Sequence, residues 1–382
     1  MAHGLRHADL ATTTETPMPR TLLASLAAAS IGLLIAGQAR AQDAIIVATG
    51  ARLPVHVVVV NTFEIPGSTP GERQEWLHRF PFTQQIAFPQ GYAPLYYNPD
   101  RKVLDIETGE GPVHMASSIE ALANDPRFDF TDAYWLLAGI AGIDPNVGPA
   151  GSVAWASYVV DGDLAYEIDA REIPSDWSTG YVPLGRTAPY QQPRPKVSSL
   201  NGTSLFRLNA RLAKWAWQFS NSKVTLPDDS NLQQLRAEYT SFPATQSPPK
   251  ILQGDVLAAG TFWIGALLNT WAENWVNYWS NGKAVFTMTS EEDAGYMQAL
   301  TFLAQNHQVD LDRVFDLRGA SDFSVPPPGT TAAQLLAQDA TGTGYSAFFE
   351  SLDDVYLAGS SVAYELTNYW SYYSSHIPGS IP

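Results

Sequence analysis

Pro54-Val55-His56-Val57-Val58-Val59-Val60 is a β-branched run that ends at the polar pair Asn61-Thr62. Its apolar side chains do not alternate with polar ones, so both faces of the strand it forms must be covered. That is the pattern of an interior strand in a parallel sheet. Glu64-Ile65-Pro66-Gly67 leaves it as a loop. Working outward, residues 103–108 read as a second short strand, followed by the Gly109-Glu110-Gly111 turn. Residues 114–124 read as a helix, with Met115, Ile119 and Leu122 on one face. Residues 132–138 return as an apolar strand that runs into an expected tight turn at Gly139-Ile140-Ala141-Gly142-Ile143. Further strands are expected at 152–160, 254–263, 284–288 and 311–317, and helices at 205–220, 265–280 and 295–305. Residues 174–199 and 236–249 read as loops, and the C-terminal third ends in helices. Strands alternating with helices and glycine turns predict an α/β fold around a mostly parallel sheet. There is no internal repeat and no sign of an independent second domain.

The chain has 382 residues, with 38 acidic against 22 basic side chains and a net charge of −16. That balance disfavours nucleic acid, whose phosphates need basic partners, and an anionic membrane surface. There is no cysteine, which excludes thiol catalysis and cysteine-based metal sites. Eleven Trp, 17 Tyr and 16 Phe supply a large aromatic area for burial instead. Residues 1–41 have the layout of a secretory signal peptide. Met18-Pro19-Arg20 gives a short basic start, residues 22–36 an apolar run, and Ala39-Arg40-Ala41 an A-x-A cleavage site. The true start is then Met18 or Met1. The apolar run falls short of the roughly 20 residues that cross a bilayer, so cleavage after Ala41 and export to the periplasm or the medium are expected. Residues 42–382 would then form one domain. Asn201-Gly202-Thr203 fits a glycosylation acceptor.

Three further stretches lie in a telling order: Thr108-Gly109-Glu110-Gly111-Pro112-Val113, then Leu137 through Pro145 with its G-x-A-G core, then Val147-Gly148-Pro149-Ala150-Gly151-Ser152-Val153. Together they resemble the nucleoside phosphorylase and nucleosidase superfamily. Tyr166-Glu167-Ile168-Asp169-Ala170-Arg171-Glu172-Ile173-Pro174 and Ala320-Ser321-Asp322-Phe323-Ser324-Val325-Pro326-Pro327-Pro328-Gly329 are similar to segments of its purine nucleoside permease family. The resemblance runs from about Val55 to Tyr369. It implies a three-layer, nucleoside phosphorylase-like α/β fold, with a mixed, mostly parallel sheet flanked by helices. It also implies a purine nucleoside site at the carboxyl ends of the strands, where open α/β sheets generally bind ligands.

The resemblance carries residue roles with it. Ser290-Glu291-Glu292-Asp293-Ala294-Gly295 resembles the ribose-binding segment, with Glu292 accepting from the sugar hydroxyls and Glu291 standing where the family has Met. A carboxylate suits a diol because it accepts two donors at once. The same residues also suit an acidic helix N-terminus. Ser321-Asp322 resembles the pair that carries the general acid for the purine N7; an Asp in a turn before prolines is the plainer alternative. Phe262 matches the aromatic that stacks on the base, with Trp263 beside it, although core packing would also explain both. Gly139 belongs to the G-x-A-G stretch expected to line the substrate. Glu64, in the first loop, matches the position that places water in nucleosidases.

Phosphorylases of this superfamily instead gather arginines around phosphate. The matching positions before and within the G-x-A-G stretch are Leu137 and Ile140, both apolar, which leaves Arg73 as one remaining contact. Water is therefore favoured over phosphate as the nucleophile. Of the seven His residues only His3 and His7, inside the expected signal peptide, show H-x-x-x-H spacing, and no metal or other cofactor is expected. Two functions stay open: an exported N-ribosyl hydrolase acting on purine nucleosides, and a non-catalytic nucleoside-binding protein assisting uptake. The second would need a membrane transporter partner that the sequence does not identify. Relatives of the phosphorylase type are often homo-oligomers.

Overall fold

The computed structural model describes residues 52–65, 67, 69–194, 203–340 and 344–380. The expected signal peptide and Asn201 of the glycosylation motif lie outside the described residues.

A twelve-stranded mixed sheet organises the chain. Its centre is built from β1 (Val57–Asn61), β2 (Val103–Glu107) and β3 (Tyr134–Ile143). Beyond these lie β4 (Tyr158–Asp161), β5 (Asp255–Ala258), β6 (Phe286–Ser290) and β7 (Val314–Phe323). β1 pairs in parallel with β2 on one side and β3 on the other. β3 pairs in parallel with β7 along almost its whole length and touches β6 antiparallel through Met288 and Ile143. β5 is parallel to both β4 and β6. Antiparallel strands close the two edges: Leu205–Arg207 against β4, and Leu95–Asn98 with Gln84–Ile86 beyond β2.

The valine run of β1 explains the layering. Val58 and Val60 face a core that holds Ile119 and Leu122 of the helix Pro112–Ala123 and Met297 and Leu300 of the helix Asp293–Gln305. Val57 and Val59 face a second core with Trp76, Val355 and Leu366, the last two from the long helix Phe348–Asn368. Successive side chains of a strand point to opposite faces, so a run of four valines demands cover on both. A third cluster, rich in tryptophan, sits under the helix Ala266–Ser280, where Trp271, Trp275 and Trp279 recur at helical spacing. The three-layer α/β architecture expected from the sequence is the one observed.

Several element boundaries differ from the sequence reading. The expected turn at residues 139–143 is absent, because β3 continues straight through it to Ile143. Its glycines serve close approach instead. A Cβ at Gly139 would strike the Arg318 guanidinium and come within 2.6 Å of the Glu72 carboxylate, and one at Gly142 would lie 2.8 Å from the Thr289 hydroxyl. The expected strand at 152–160 is split, since Ser157 and Tyr158 donate their amides to the Asp255 carboxylate at 3.0 and 2.9 Å rather than to a neighbouring strand. The expected helix at 205–220 begins as the edge strand Leu205–Arg207. Asn209 then caps the helix Ala210–Lys223 by accepting from the Arg211 and Leu212 amides.

Candidate active site

The carboxyl ends of β1, β3, β6 and β7, with the loop after β5, enclose a cavity of about 280 Å³. Thr62 and Phe63 follow β1, Ile140 to Gly142 end β3, Ser290 to Glu292 close β6, and Ser321 and Asp322 lie on β7. Phe262, Trp263, Tyr345 and Phe348 form an aromatic wall. The Phe262 and Tyr345 rings stand 5.7 Å apart and are inclined by 32°. Trp263 lines the same wall and meets Trp271 edge-on at 5.9 Å.

Asp322 sits on the floor, 3% exposed. One carboxylate oxygen accepts from the Ser321 hydroxyl at 2.8 Å. The other has no hydrogen-bond partner among the described residues. Burial pushes the carboxyl up to about 6, partly offset by the Ser321 bond. It thus keeps its proton to a higher pH than an exposed Asp would.

Glu292 stands between two anchors. Its carboxylate accepts from the Gly111 amide at 3.3 Å and from Arg318 Nη2 at 2.8 Å. The Gly111 amide is presented by the T-G-E-G turn, whose Gly109 and Gly111 adopt φ of +82° and +88°, values that side-chain-bearing residues rarely take. Glu292 occupies the N-cap position of the helix Asp293–Gln305, but its side chain caps none of that helix's amides. Burial raises its pKa, and Arg318 opposes the rise.

Two residues that the sequence reading missed build the floor, Glu72 lining it and Arg318 lying beneath. Glu72 opens the helix Glu72–Arg79 and is 4% exposed. Its carboxylate accepts from the Thr62 amide at 2.6 Å, the Thr62 hydroxyl at 2.7 Å and the Ile140 amide at 2.7 Å. Burial pushes it up to about 7, against the pull of Arg318, while Glu292 adds to the rise. Arg318, in β7, is 1% exposed. It donates to Asp293 at 3.1 and 2.5 Å, to Glu292 at 2.8 Å and to the Ile140 carbonyl at 3.1 Å, and lies 3.9 Å from Glu72. The signal that could have found it is a lone cation within the strand Val314–Phe323, whose other polar side chains are Asp316, Ser321 and Asp322. Such a residue is buried only with partners.

The structure thus gathers Asp322, Ser321, Glu292, Phe262 and Trp263 around one cavity. Gly139 stands just behind it, leaving room for Glu72 and Arg318. Glu64 is not among the lining residues: its carboxylate accepts from the Gly71 amide at 3.3 Å, just ahead of the helix that Glu72 begins. Arg73 is likewise engaged elsewhere, in a buried pair with Asp105 and bonds to Glu107 and the Pro94 carbonyl. Among the described residues, no group of three or more His, Asp or Glu side chains is arranged to hold a metal, and no helix is long and apolar enough to cross a membrane.

Fold and cavity together define an α/β protein with an acidic, aromatic-walled cleft at the strand ends. Residues 54–378 match the sequence model of the purine nucleoside permease family. The chain is 33% identical over 308 residues to a purine nucleoside permease of Candida albicans, covering 78% of this chain and 73% of that one. It is 29% identical over 323 residues to a protein of Schizosaccharomyces pombe named a probable purine nucleoside permease, covering 83% and 90%. The chain belongs to the purine nucleoside permease family. Among solved structures it aligns with futalosine hydrolase of Helicobacter pylori (TM-score 0.47, 12% identity, 80% of this chain and 97% of that one). It also aligns with the 5′-methylthioadenosine/S-adenosylhomocysteine nucleosidase of Neisseria meningitidis (TM-score 0.45, 13% identity, 80% and 99%).

Proposed function

We propose that the cavity binds a purine nucleoside and that the protein hydrolyses its N-ribosyl bond. One observation carries the choice of water: the cavity floor pairs two carboxylates, Glu72 and Glu292, with a single guanidinium that they and Asp293 already engage. Phosphate would meet two carboxylates and no free cation there, and an anion site needs unoccupied donors. Water is neutral and suits the same place.

The base stacks against Phe262, with Tyr345 beside it, and stacking on an aromatic platform contributes roughly 1–3 kcal/mol per base. Glu292 accepts from the ribose diol. Asp322 gives its proton to N7, so that the C1′–N9 bond breaks toward a neutral base. Water attacks C1′ and passes a proton to Glu72, whose raised pKa suits a general base near neutral pH. The products are free purine and ribose, and no cofactor enters the balance. In this scheme Glu72 takes the water-placing role expected of Glu64, because Glu72 lines the cavity and Glu64 does not.

The test is release of free base from inosine, adenosine and guanosine by the purified protein, with and without phosphate. Turnover independent of phosphate is expected; turnover only with phosphate would make the protein a phosphorylase. Measurable binding without turnover would select the other reading, a nucleoside-binding protein that serves a membrane transporter, which the permease name of the relatives favours. We also propose that the chain is exported and cut after Ala41. The mass and N-terminal sequence of the protein recovered from its native host check this, and an intact residue 18 would refute it.

A further inference from the structure

Glu110 and Glu291 stand on the cavity wall outside the catalytic scheme. Glu291 follows Ser290 at the end of β6 and is half-buried; Glu110 is exposed at the rim, in the turn that holds Glu292. Neither carboxylate has a hydrogen-bond or ion-pair partner among the described residues. Burial, with the nearby charges of Glu292 and Glu110 adding to it and Arg318 opposing it, pushes the Glu291 carboxyl up to about 7. Beside them Ser290, 8% exposed and also lining the cavity, keeps a buried hydroxyl with no partner. Among the described residues, no Lys, Arg or His lines the cavity. Unpaired carboxylates and a free hydroxyl on a ligand-sized wall are groups left for a ligand to satisfy.

Chemistry fixes which part of the ligand meets them. In a nucleoside bound as proposed above, C1′ carries the base and the 2′,3′-diol is taken by Glu292. The 5′ carbon is the one substituent of the sugar left without a partner. We propose that Glu110 and Glu291 are specificity-determining residues that read this 5′ substituent. They admit a hydroxyl, favour a cationic group such as an amine, and exclude a 5′-phosphate. The physical reason is the sign of the field: like charges repel and opposite charges attract more strongly in a half-buried cleft than in water.

This inference rests on the nucleoside reading of the cavity, and its test separates the two. Adenosine, 5′-amino-5′-deoxyadenosine and adenosine 5′-monophosphate are titrated calorimetrically at pH 8 into the full chain carrying Asp322→Asn, so that little ligand is consumed. The amine is expected to bind at least about tenfold more tightly than adenosine, and the monophosphate at least about tenfold more weakly. Both gaps should shrink in a chain that also carries Glu110→Gln and Glu291→Gln. Adenosine binding with no discrimination between amine and phosphate would overturn the inference and leave the nucleoside reading intact. Discrimination that survives the double glutamine substitution would overturn the assignment to these two residues. Absence of binding by all three ligands, in this chain and in the unsubstituted protein, would overturn the nucleoside reading itself.

Discussion

Arg318 reaches Glu292 from beneath the cavity floor, its Nη2 donating to the Glu292 carboxylate at 2.8 Å. The same nitrogen donates to Asp293, and the neighbouring Nη1 lies 3.9 Å from Glu72. One buried cation therefore fixes the diol-binding acid and the water-placing acid of the proposed mechanism in a single arrangement.

Removing that cation should be costly. Arg318→Met would leave Glu72, Glu292 and Asp293 buried around an uncharged side chain, and breaking a buried ion pair from one side typically costs roughly 3–5 kcal/mol. A drop of that size in urea-unfolding stability is expected. Arg318→Lys keeps a charge but loses the planar fork that serves Glu292 and Asp293 together. It should retain more of the stability than Arg318→Met and still lose turnover. Equal stability of wild type and Arg318→Met would show that the network contributes little.

Gly139 tests the same floor from the backbone side. A methyl group there would collide with the Arg318 guanidinium and the Glu72 carboxylate, neither free to withdraw. Gly139→Ala is expected to lower stability by about 1–3 kcal/mol, the usual cost of overpacking, and to lower turnover through displaced Glu72. Thermal unfolding and a kinetic assay read the two effects separately. Gly329→Ala, at a position where a Cβ meets nothing within 4 Å, controls for the chain's general tolerance. Its φ of +87° should make it mildly destabilising without touching turnover.

The pH dependence follows from Asp322 near 6 and Glu72 near 7. The proposed reaction needs Asp322 protonated and Glu72 ionised, so kcat/KM should be bell-shaped, with its maximum between those values. Asp322→Asn removes the acid and should cut kcat by about 10²- to 10⁴-fold. Stability should move the other way from the usual carboxylate case. Both groups bind their protons more tightly folded than unfolded, so their contribution is full below the unfolded pKa of about 4 and is lost as pH rises from there through 6 to 7. The melting temperature should fall over that interval, and by less in Glu72→Gln. A flat melting temperature from pH 5 to 8 in both proteins would contradict the assignment.

The core was far easier to read from the sequence than the floor of the site. Val57 to Val60 announce two covered faces because their pattern is local, and the helices on either side follow from apolar periodicity. Glu292, Phe262 and Asp322 converge because each lies at the end of a different strand of one sheet, a placement that open α/β folds favour. Glu72 and Arg318 escaped for physical reasons. Glu72 looks like a solvated charge at a helix start, and nothing in Glu72-Arg73-Gln74-Glu75 shows that only the first is buried against β3. Glu64 is eight residues earlier, and the fold of the loop between them decides which carboxylate enters the cavity. The glycines of β3 misled in the same way: a glycine permits a turn or a close approach, and only the neighbours on β7 and the helix Glu72–Arg79 show which one is used.

Phe262 provides the prediction that best separates a binding surface from a packing residue in so aromatic a chain. Its ring is only partly buried, lines the cavity and faces Tyr345 at 5.7 Å, whereas Trp271 and Trp275 are sealed in the core beneath. If Phe262 stacks on the base, Phe262→Ala should weaken nucleoside binding by roughly 1–3 kcal/mol. It should scarcely move the unfolding midpoint, because little apolar area is withdrawn from the core. Phe262→Tyr keeps the π-face and should restore most of the affinity. Trp275→Ala makes the opposite pattern, a loss of about 3–5 kcal/mol in stability from the cavity it leaves. Calorimetric titration with adenosine and urea unfolding of the three variants distinguish the roles. A large stability loss in Phe262→Ala with unchanged affinity would return this residue to the core and leave Tyr345 and Trp263 to hold the base.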